Sequence, residues 1–287
     1  MISKIILVTG TSAGFGKLIT TTLAQEGHSV IAAMRNSTTK NAAAAAELNA
    51  IPNIEVVEMD VTNTESVNSA IEKTVKKYGQ IDVLVNNAGI GAVGFLEASS
   101  IEQMKSVFEV NLWGYVRSIQ AVLPVMRAHK SGLIINVSSS LGILSVPYMA
   151  SYVGTKYAIE GMTESLQYEI KKFGIEAVTV MPGPFPTEIA GKSLGPDRPE
   201  IMEAYGETEM NKMQQFGGIM YGKIMKYQVD NQEVADAVKK VIGLKPGTRP
   251  PQTLVSRIAE GIEQQFADSK LAVKKEWMER SGFADYR

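Results

Sequence analysis

A tyrosine and a lysine stand four residues apart at Tyr152 and Lys156, Ser139 precedes that tyrosine by thirteen positions, and Asn111 lies further upstream. Reducing a carbonyl needs hydride on one side and a proton delivered to the developing alkoxide on the other. A phenol can supply the proton, but its ordinary pKa of about 10 is too high for reversible work at neutral pH unless a nearby cation favours the phenolate. Lys156, one helical turn beyond Tyr152 on the same face, is placed to be that cation. A serine hydroxyl can donate to the substrate oxygen as charge builds there. Singly, each residue has a plainer reading: a half-buried aromatic, a surface lysine, one hydroxyl of the Ser138-Ser139-Ser140 run, a helix kink or cap. Together they describe proton delivery paired with hydride transfer from a nicotinamide cofactor.

The cofactor half of that chemistry has its own motif. Thr9-Gly10-Thr11-Ser12-Ala13-Gly14-Phe15-Gly16 directly follows an apolar run and precedes the helical stretch from Lys17 to Glu26. Gly10, Gly14 and Gly16 permit a tight turn, close backbone approach and close packing of the next helix, whose amino end attracts a pyrophosphate. Roughly twenty residues on, NAD-binding proteins place an acid on the ribose. Here the second apolar run ends Ala33-Met34-Arg35-Asn36, with no acid. A guanidinium matches phosphate oxygens with paired charge-assisted bonds, so Arg35 predicts NADP(H), with NAD(H) as a weaker alternative.

These motifs need a scaffold. Short β-branched runs recur at 5–9, 29–34, 54–58, 83–86, 133–137 and 175–180, with helical stretches between them. The alternation predicts an α/β fold, a Rossmann-like doubly wound parallel sheet with helices on both faces, in a single domain spanning 1–287. Gly27 and Gly174 read as helix stops, and Thr62-x-x-Glu65 and Ser99-x-x-Glu102 as capping boxes. The alanines at 42–46 read as a solvated helix end without function. From 192 to 230 the chain carries Met202, Tyr205, Met210, Met213, Phe216, Met220, Met225 and Tyr227. That segment reads equally as a lid over an apolar substrate and as packing on the body, with Gly217-Gly218 as a turn. Residues 268–287 read as a solvated terminal helix or tail.

Composition narrows the partners. A net charge of -1 gives no basic footprint for nucleic acid or an anionic membrane. With no cysteine and only His28 and His129, disulfides, thiolate metal sites and histidine cages are not expected. The first strand runs straight into the glycine turn without room for a signal peptide, and no apolar run approaches the ~18 residues of a membrane span. A cytoplasmic protein acting on a small molecule is the expectation.

The spacing Thr-Gly-x-x-x-Gly-x-Gly, followed in order by Asn86-Asn87-Ala88-Gly89, Asn111, Ser139, Tyr152-x-x-x-Lys156 and Pro182-Gly183, resembles the short-chain dehydrogenase/reductase family over residues 2 to 190. The resemblance implies that Asp60 and Val61 bracket the adenine, and that Asn87, Ala88 and Gly89 line the adenosine ribose. Lys156 would also donate to the nicotinamide ribose, and Asn111 would hold a water that supplies protons to it. Pro182, Gly183 and Thr187 would face the nicotinamide and its neighbouring phosphate. Two positions depart from the pattern: Ala13 replaces a basic residue common in NADP-preferring relatives, and Phe185 stands where the family often has a branched aliphatic. The implied activity interconverts a carbonyl and a secondary alcohol in a fairly apolar substrate. Alternatives are a 3-oxoacyl-thioester or steroid- or retinoid-type reductase and a non-catalytic NADP(H) sensor. Assembly as a homodimer or homotetramer, through the helices carrying Asn111 and Tyr152, follows by resemblance only.

Overall fold

A computed structural model describes residues 3–187, 191, 193–258 and 260–286. Strand and helix alternate through the first half as β1 (Ile5–Thr9), α1 (Gly14–Gln25), β2 (Ser29–Met34), α2 (Ala42–Asn49), β3 (Ile54–Glu58) and α3 (Thr64–Tyr78). The second half runs β4 (Val83–Asn86), α4 (Ile101–Phe108), α5 (Gly114–His129), β5 (Gly132–Val137), α6 (Ala150–Ile170) and β6 (Ile175–Pro182), with a π-helical turn, Glu109–Trp113, joining α4 to α5. Beyond them lie α7 (Pro199–Ala204), α8 (Gly206–Tyr227), α9 (Gln232–Gly243), β7 (Gln252–Val255) and α10 (Ile262–Arg280). The strands pair in parallel in the order β3-β2-β1-β4-β5-β6-β7. The order reverses between β1 and β4, which opens a crevice at the strands' carboxyl ends.

Side chains alternate across a strand, so consecutive residues go to opposite cores. Ile6 and Val8 pack with Leu23 of α1 and Val234 and Val238 of α9. Leu7 and Leu84 pack on the other face with Ile71 of α3 and Val122 of α5. Each fully buried Leu or Ile stabilises by about 1.5–3 kcal/mol, and with both faces covered the site rests on a fixed platform.

Four local expectations change. The helix caps are Asn63 and Ser100, which accept from Ser66 N at 2.9 Å and Gln103 N at 3.0 Å, each one residue after the predicted cap. Thr62 is unavailable because its hydroxyl donates to Asp60 at 2.8 Å. Gly217 and Gly218 lie inside unbroken α8 and form no turn. The terminal helix begins at Ile262, and its inner side is docked: Ala267 and Met278 are buried, and Lys270 reaches Glu164 of α6 at 3.6 Å. β7 has no counterpart among the predicted strands. Among the described residues no helix is long and apolar enough to cross a membrane, and no cluster of three or more His, Cys, Asp or Glu is placed to hold a metal.

Candidate active site

The glycine turn is built by contacts that exclude side chains. Gly10 has φ 71°, and a Cβ there would stand 2.7 Å from Ala88 Cα. A Cβ on Gly16 would stand 2.2 Å from the Gly10 carbonyl oxygen, whereas one on Gly14 meets nothing within 4 Å. The turn is therefore closed toward the sheet and open outward. Neither a side-chain cap nor an acidic residue engages the first turn of α1, so its amino end suits an anion such as pyrophosphate. Ser12 and Gly14 are partly exposed there. Thr11 instead turns inward, fully buried, with its hydroxyl on Ala33 O at 3.2 Å. Phe15 meets Phe185 edge-on at 5.6 Å, and Phe185, only 7 % exposed, belongs to the core more than to a pocket floor.

The corner expected to receive adenosine holds one group that spacing does not reveal, Glu58. Arg35 is exposed where β2 ends, and Asn36 takes φ 54°. Glu58, at the end of β3, accepts from Asn36 N and Ser37 N, both at 2.7 Å, and from Ser37 Oγ at 2.6 Å. Burial pulls its carboxyl upward, but these hydrogen bonds win and hold it below the usual carboxylate range. An acid thus does reach this corner, from the neighbouring strand. Asp60 accepts from Thr62 N at 2.9 Å, which is an ordinary turn cap, and Val61 is buried against Gly114. Asn87 locks the glycine turn to β1, with its N–H on Thr9 Oγ1 at 3.0 Å and its Nδ2 on Gly10 O at 3.2 Å; Ala88 N shares Thr9 Oγ1 at 3.1 Å. Gly89 lies against the Asn111 amide.

Three of the four predicted catalytic residues, Ser139, Tyr152 and Lys156, converge at the end of β5. Lys156, 5 % exposed, donates to Val137 O at 3.1 Å, as does the buried Tyr115 hydroxyl at 2.9 Å. Its Nζ lies 5.5 Å from the Tyr152 ring centre. Ser139 caps a short turn, accepting from Leu141 N at 3.1 Å and directing its hydroxyl toward Pro182 O at 3.4 Å. Gly183 N bonds Val255 O at 2.8 Å and Thr187 N bonds Phe185 O at 2.8 Å, which fixes the loop after β6 beside them.

The surroundings of Tyr152 and Asn111 differ from what spacing alone suggests. The lysine was to pull the phenol toward phenolate, but burial dominates and pushes Tyr152 up to about 12, opposed only by the hydroxyl of Ser139. Burial likewise lowers Lys156 to about 8, opposed by the charge of Glu160. Asn111, in the π-helical turn, spends its amide on Ile90: Oδ1 accepts from Ile90 N at 2.8 Å and Nδ2 donates to Ile90 O at 2.9 Å. Its side chain braces the loop after β4. Such π-turns recur at functional sites, and Thr155, one residue before Lys156, meets the same amide at 3.3 Å.

Just before α6 stands an aromatic wall. Tyr148 holds φ 62°, a conformation a bulky residue adopts only when its surroundings impose it. It meets Phe95 at 5.5 Å and Phe216 of α8 at 5.7 Å, while Phe95 stacks on Tyr205 at 3.9 Å. The excursion carrying α7 and α8 is tied down at both ends. Leu194 bridges to Ala92 and Asp197 accepts from Ser100 N at 2.7 Å; at the far end Val229 is buried and Asn231 Nδ2 donates to Pro186 O at 2.9 Å. Lys192 lies outside the described residues. Met225, alone of the eight apolar residues noted in that segment, is strongly exposed, at 59 %.

Comparison with known proteins agrees with this arrangement. A family model described as short chain dehydrogenase matches residues 4–196. The 3-ketodihydrosphingosine reductase of Bacteroides thetaiotaomicron is 36 % identical over 206 residues, 72 % of this chain and 71 % of its own. Retinol dehydrogenase 8 of Homo sapiens is 33 % identical over 253 residues, 86 % of this chain and 79 % of its own. Among solved structures, a variant of actinorhodin polyketide ketoreductase with NADPH superposes with a TM-score of 0.74 at 27 % identity, covering 88 % of this chain and 95 % of that one.

Proposed function

The chain belongs to the short-chain dehydrogenase/reductase family, a family of oxidoreductases that use a nicotinamide cofactor, and from that premise we propose that it interconverts a carbonyl and a secondary alcohol in a fairly apolar substrate with NADP(H). The observation that carries this reading is the convergence of Ser139, Tyr152 and Lys156 at the end of β5, beside an outward-open glycine turn. When bound, the nicotinamide supplies or accepts the hydride.

The chain's own residues do the rest. Tyr152 gives its proton to the alkoxide that develops on the substrate, and Ser139 donates to the same oxygen. Lys156, held by Val137 O, places positive charge behind the phenol. Burial keeps Tyr152 protonated through the neutral range, the state reduction requires. The turn at Gly10, Thr11, Ser12, Gly14, Phe15 and Gly16 would hold the pyrophosphate, with Asp60, Val61, Asn87, Ala88 and Gly89 around the adenosine. Pro182, Gly183, Phe185 and Thr187 would stand at the nicotinamide end. Asn111 keeps the π-turn and the loop at Ile90 in register with Lys156.

Exposed Arg35 and Asn36 support a 2'-phosphate site, and NADPH in the ketoreductase structure points the same way. Glu58 beside them limits the discrimination, because its charge opposes the phosphate. The aromatic wall and the inward methionines of α8 support a bulky apolar substrate and a lid over 192–230, as do the names of the two relatives. Trp113, Tyr157 and Met162, exposed near the start of α5 and along α6, support a homo-oligomer. The test is NADPH oxidation against matched aliphatic, aromatic, steroid and acyl-thioester carbonyls. Tight cofactor binding with no consumption by any of them would sink the enzyme reading and favour a sensor.

A further inference from the structure

Glu160 follows Lys156 by one turn on α6 and is only 3 % exposed. A carboxylate is almost never so deeply buried unless it is paired. Its Oε2 accepts from Gln252 Nε2 at 2.7 Å and from Thr179 Oγ1 at 3.2 Å, tying α6 to β7 and β6. Among the described residues its Oε1 has no well-formed hydrogen bond, and the buried hydroxyl of Ser138 lies close by. A Cβ on Gly142 would stand 2.7 Å from Glu160 Cγ and 3.0 Å from Ser138 Oγ, which shows how tightly the three are gathered. Behind the carboxylate a cavity of about 250 Å³ opens between α6 and α10, lined by Thr163, Tyr168, Gln252, Lys274 and Met278 among others. A space of that size with Glu160, Thr163 and Gln252 in its lining admits water.

We infer that Glu160 is a positioning residue for the proposed reaction, its ionised carboxylate keeping Lys156 an ammonium in a site that would otherwise expel the charge. An isolated buried ion is costly, and an opposite charge one turn away offsets that cost for both partners. Burial pushes the Glu160 carboxyl up and the Lys156 amine down to about 8. The donors Gln252 and Thr179, with the Ser138 hydroxyl at hand, favour the ionised carboxylate. The other charged groups facing it are Glu164 on its own helix and Lys270, Lys274 and Lys275 on α10; β6 and β7 bring only Thr179 and Gln252. Lys270 and Lys274 are paired with Glu164, and Lys156 is the cation buried one turn from Glu160 on the same helix. Around Lys156 the remaining titratable neighbours are Tyr152 and Tyr115, both held protonated by burial. The inference rests on the reading of Tyr152 and Lys156 given above.

The decisive variant is Glu160→Gln, which keeps size and removes charge. The Lys156 titration is followed by NMR in the resting protein with ¹³C-labelled lysine side chains, and kcat/KM for NADPH-dependent reduction is followed against pH. The Lys156 midpoint should fall by about one pH unit. The alkaline limb should move with it, a loss of roughly fivefold at pH 8 and little at pH 6. A brace without electrostatic function would lower Tm and leave both midpoints where they were; that result overturns the inference. Should Glu160→Gln not fold, Gln252→Leu decides, because losing the shortest donor weakens the ionised carboxylate and must move the limb the same way; an unmoved limb overturns it equally. Turnover surviving Tyr152→Phe would instead defeat the functional reading and leave the lysine titration in the resting protein untouched, so the two failures are distinguishable.

Discussion

Helices α6 and α8 are nearly equal in length, 21 and 22 residues, yet α6 buries seven of its residues and α8 none. Five of the seven are polar or charged: Ser151, Thr155, Lys156, Glu160 and Thr163. Burying such groups is tolerated only with partners; for Lys156, Thr163 and Glu160 these come from the sheet, at Val137, Asn136 and Thr179. α8 touches the body through a single half-exposed row that includes Met213, Phe216, Met220, Ile224 and Tyr227. One helix therefore has its geometry imposed by the core and can hold reacting groups in place. The other rests on the body through partly buried side chains, with Ile224 and Tyr227 against the core and Phe216 against Tyr148.

The contrast breaks first at Tyr152. Tyr152→Phe should cut turnover by about 10²–10⁴ while NADPH binding, followed by fluorescence, barely changes; a modest loss would mean that α6 does not carry the acid. Arg35→Ala should reduce the preference for NADPH over NADH by roughly tenfold, the value of one charge-assisted contact, read as a ratio of kcat/KM values. Stability sharpens the comparison next. Lys156 sits near 8 when folded and near 10.5 otherwise, so between these values the unfolded chain binds more protons and stability rises with pH. Urea melts at pH 8 and pH 10 should differ by up to about 3 kcal/mol from this group, and Lys156→Met should flatten that difference. The smallest effect belongs to α8: Phe216→Ala should raise KM for bulky carbonyls about threefold, leave small ketones alone and shift stability by less than ~0.5 kcal/mol. A large fall in Tm would show α8 to be as fixed as α6.

Five of the six predicted strands are β-branched or apolar runs buried on both faces, and β3, with only Ile54 buried, was still legible from its β-branched Ile54, Val56 and Val57. β7 was not: its four residues follow two prolines at the sheet edge and only Val255 is buried. The caps slipped by one position because Thr62 was already engaged by Asp60, a contact between side chains that spacing cannot reveal. Ser139, Tyr152 and Lys156 were readable from spacing, and the structure brings them together. The direction of the Tyr152 shift was not, since proximity to a lysine is visible in a sequence and desolvation is not. Glu58 and Glu160 were missed for a related reason. A carboxylate on a strand end or a helix looks solvated until the chain around it closes.

The excursion carrying α7 and α8 leaves the body just after Pro186 and returns where Asn231 bonds that same residue's carbonyl. Departure and return share one anchor, so length and composition in between can vary without disturbing the sheet. On the proposed reading α7 and α8 form an exchangeable cassette: replacing residues 199–227 by those of a relative would leave the hydrogen bond that holds Lys156 to the sheet in place.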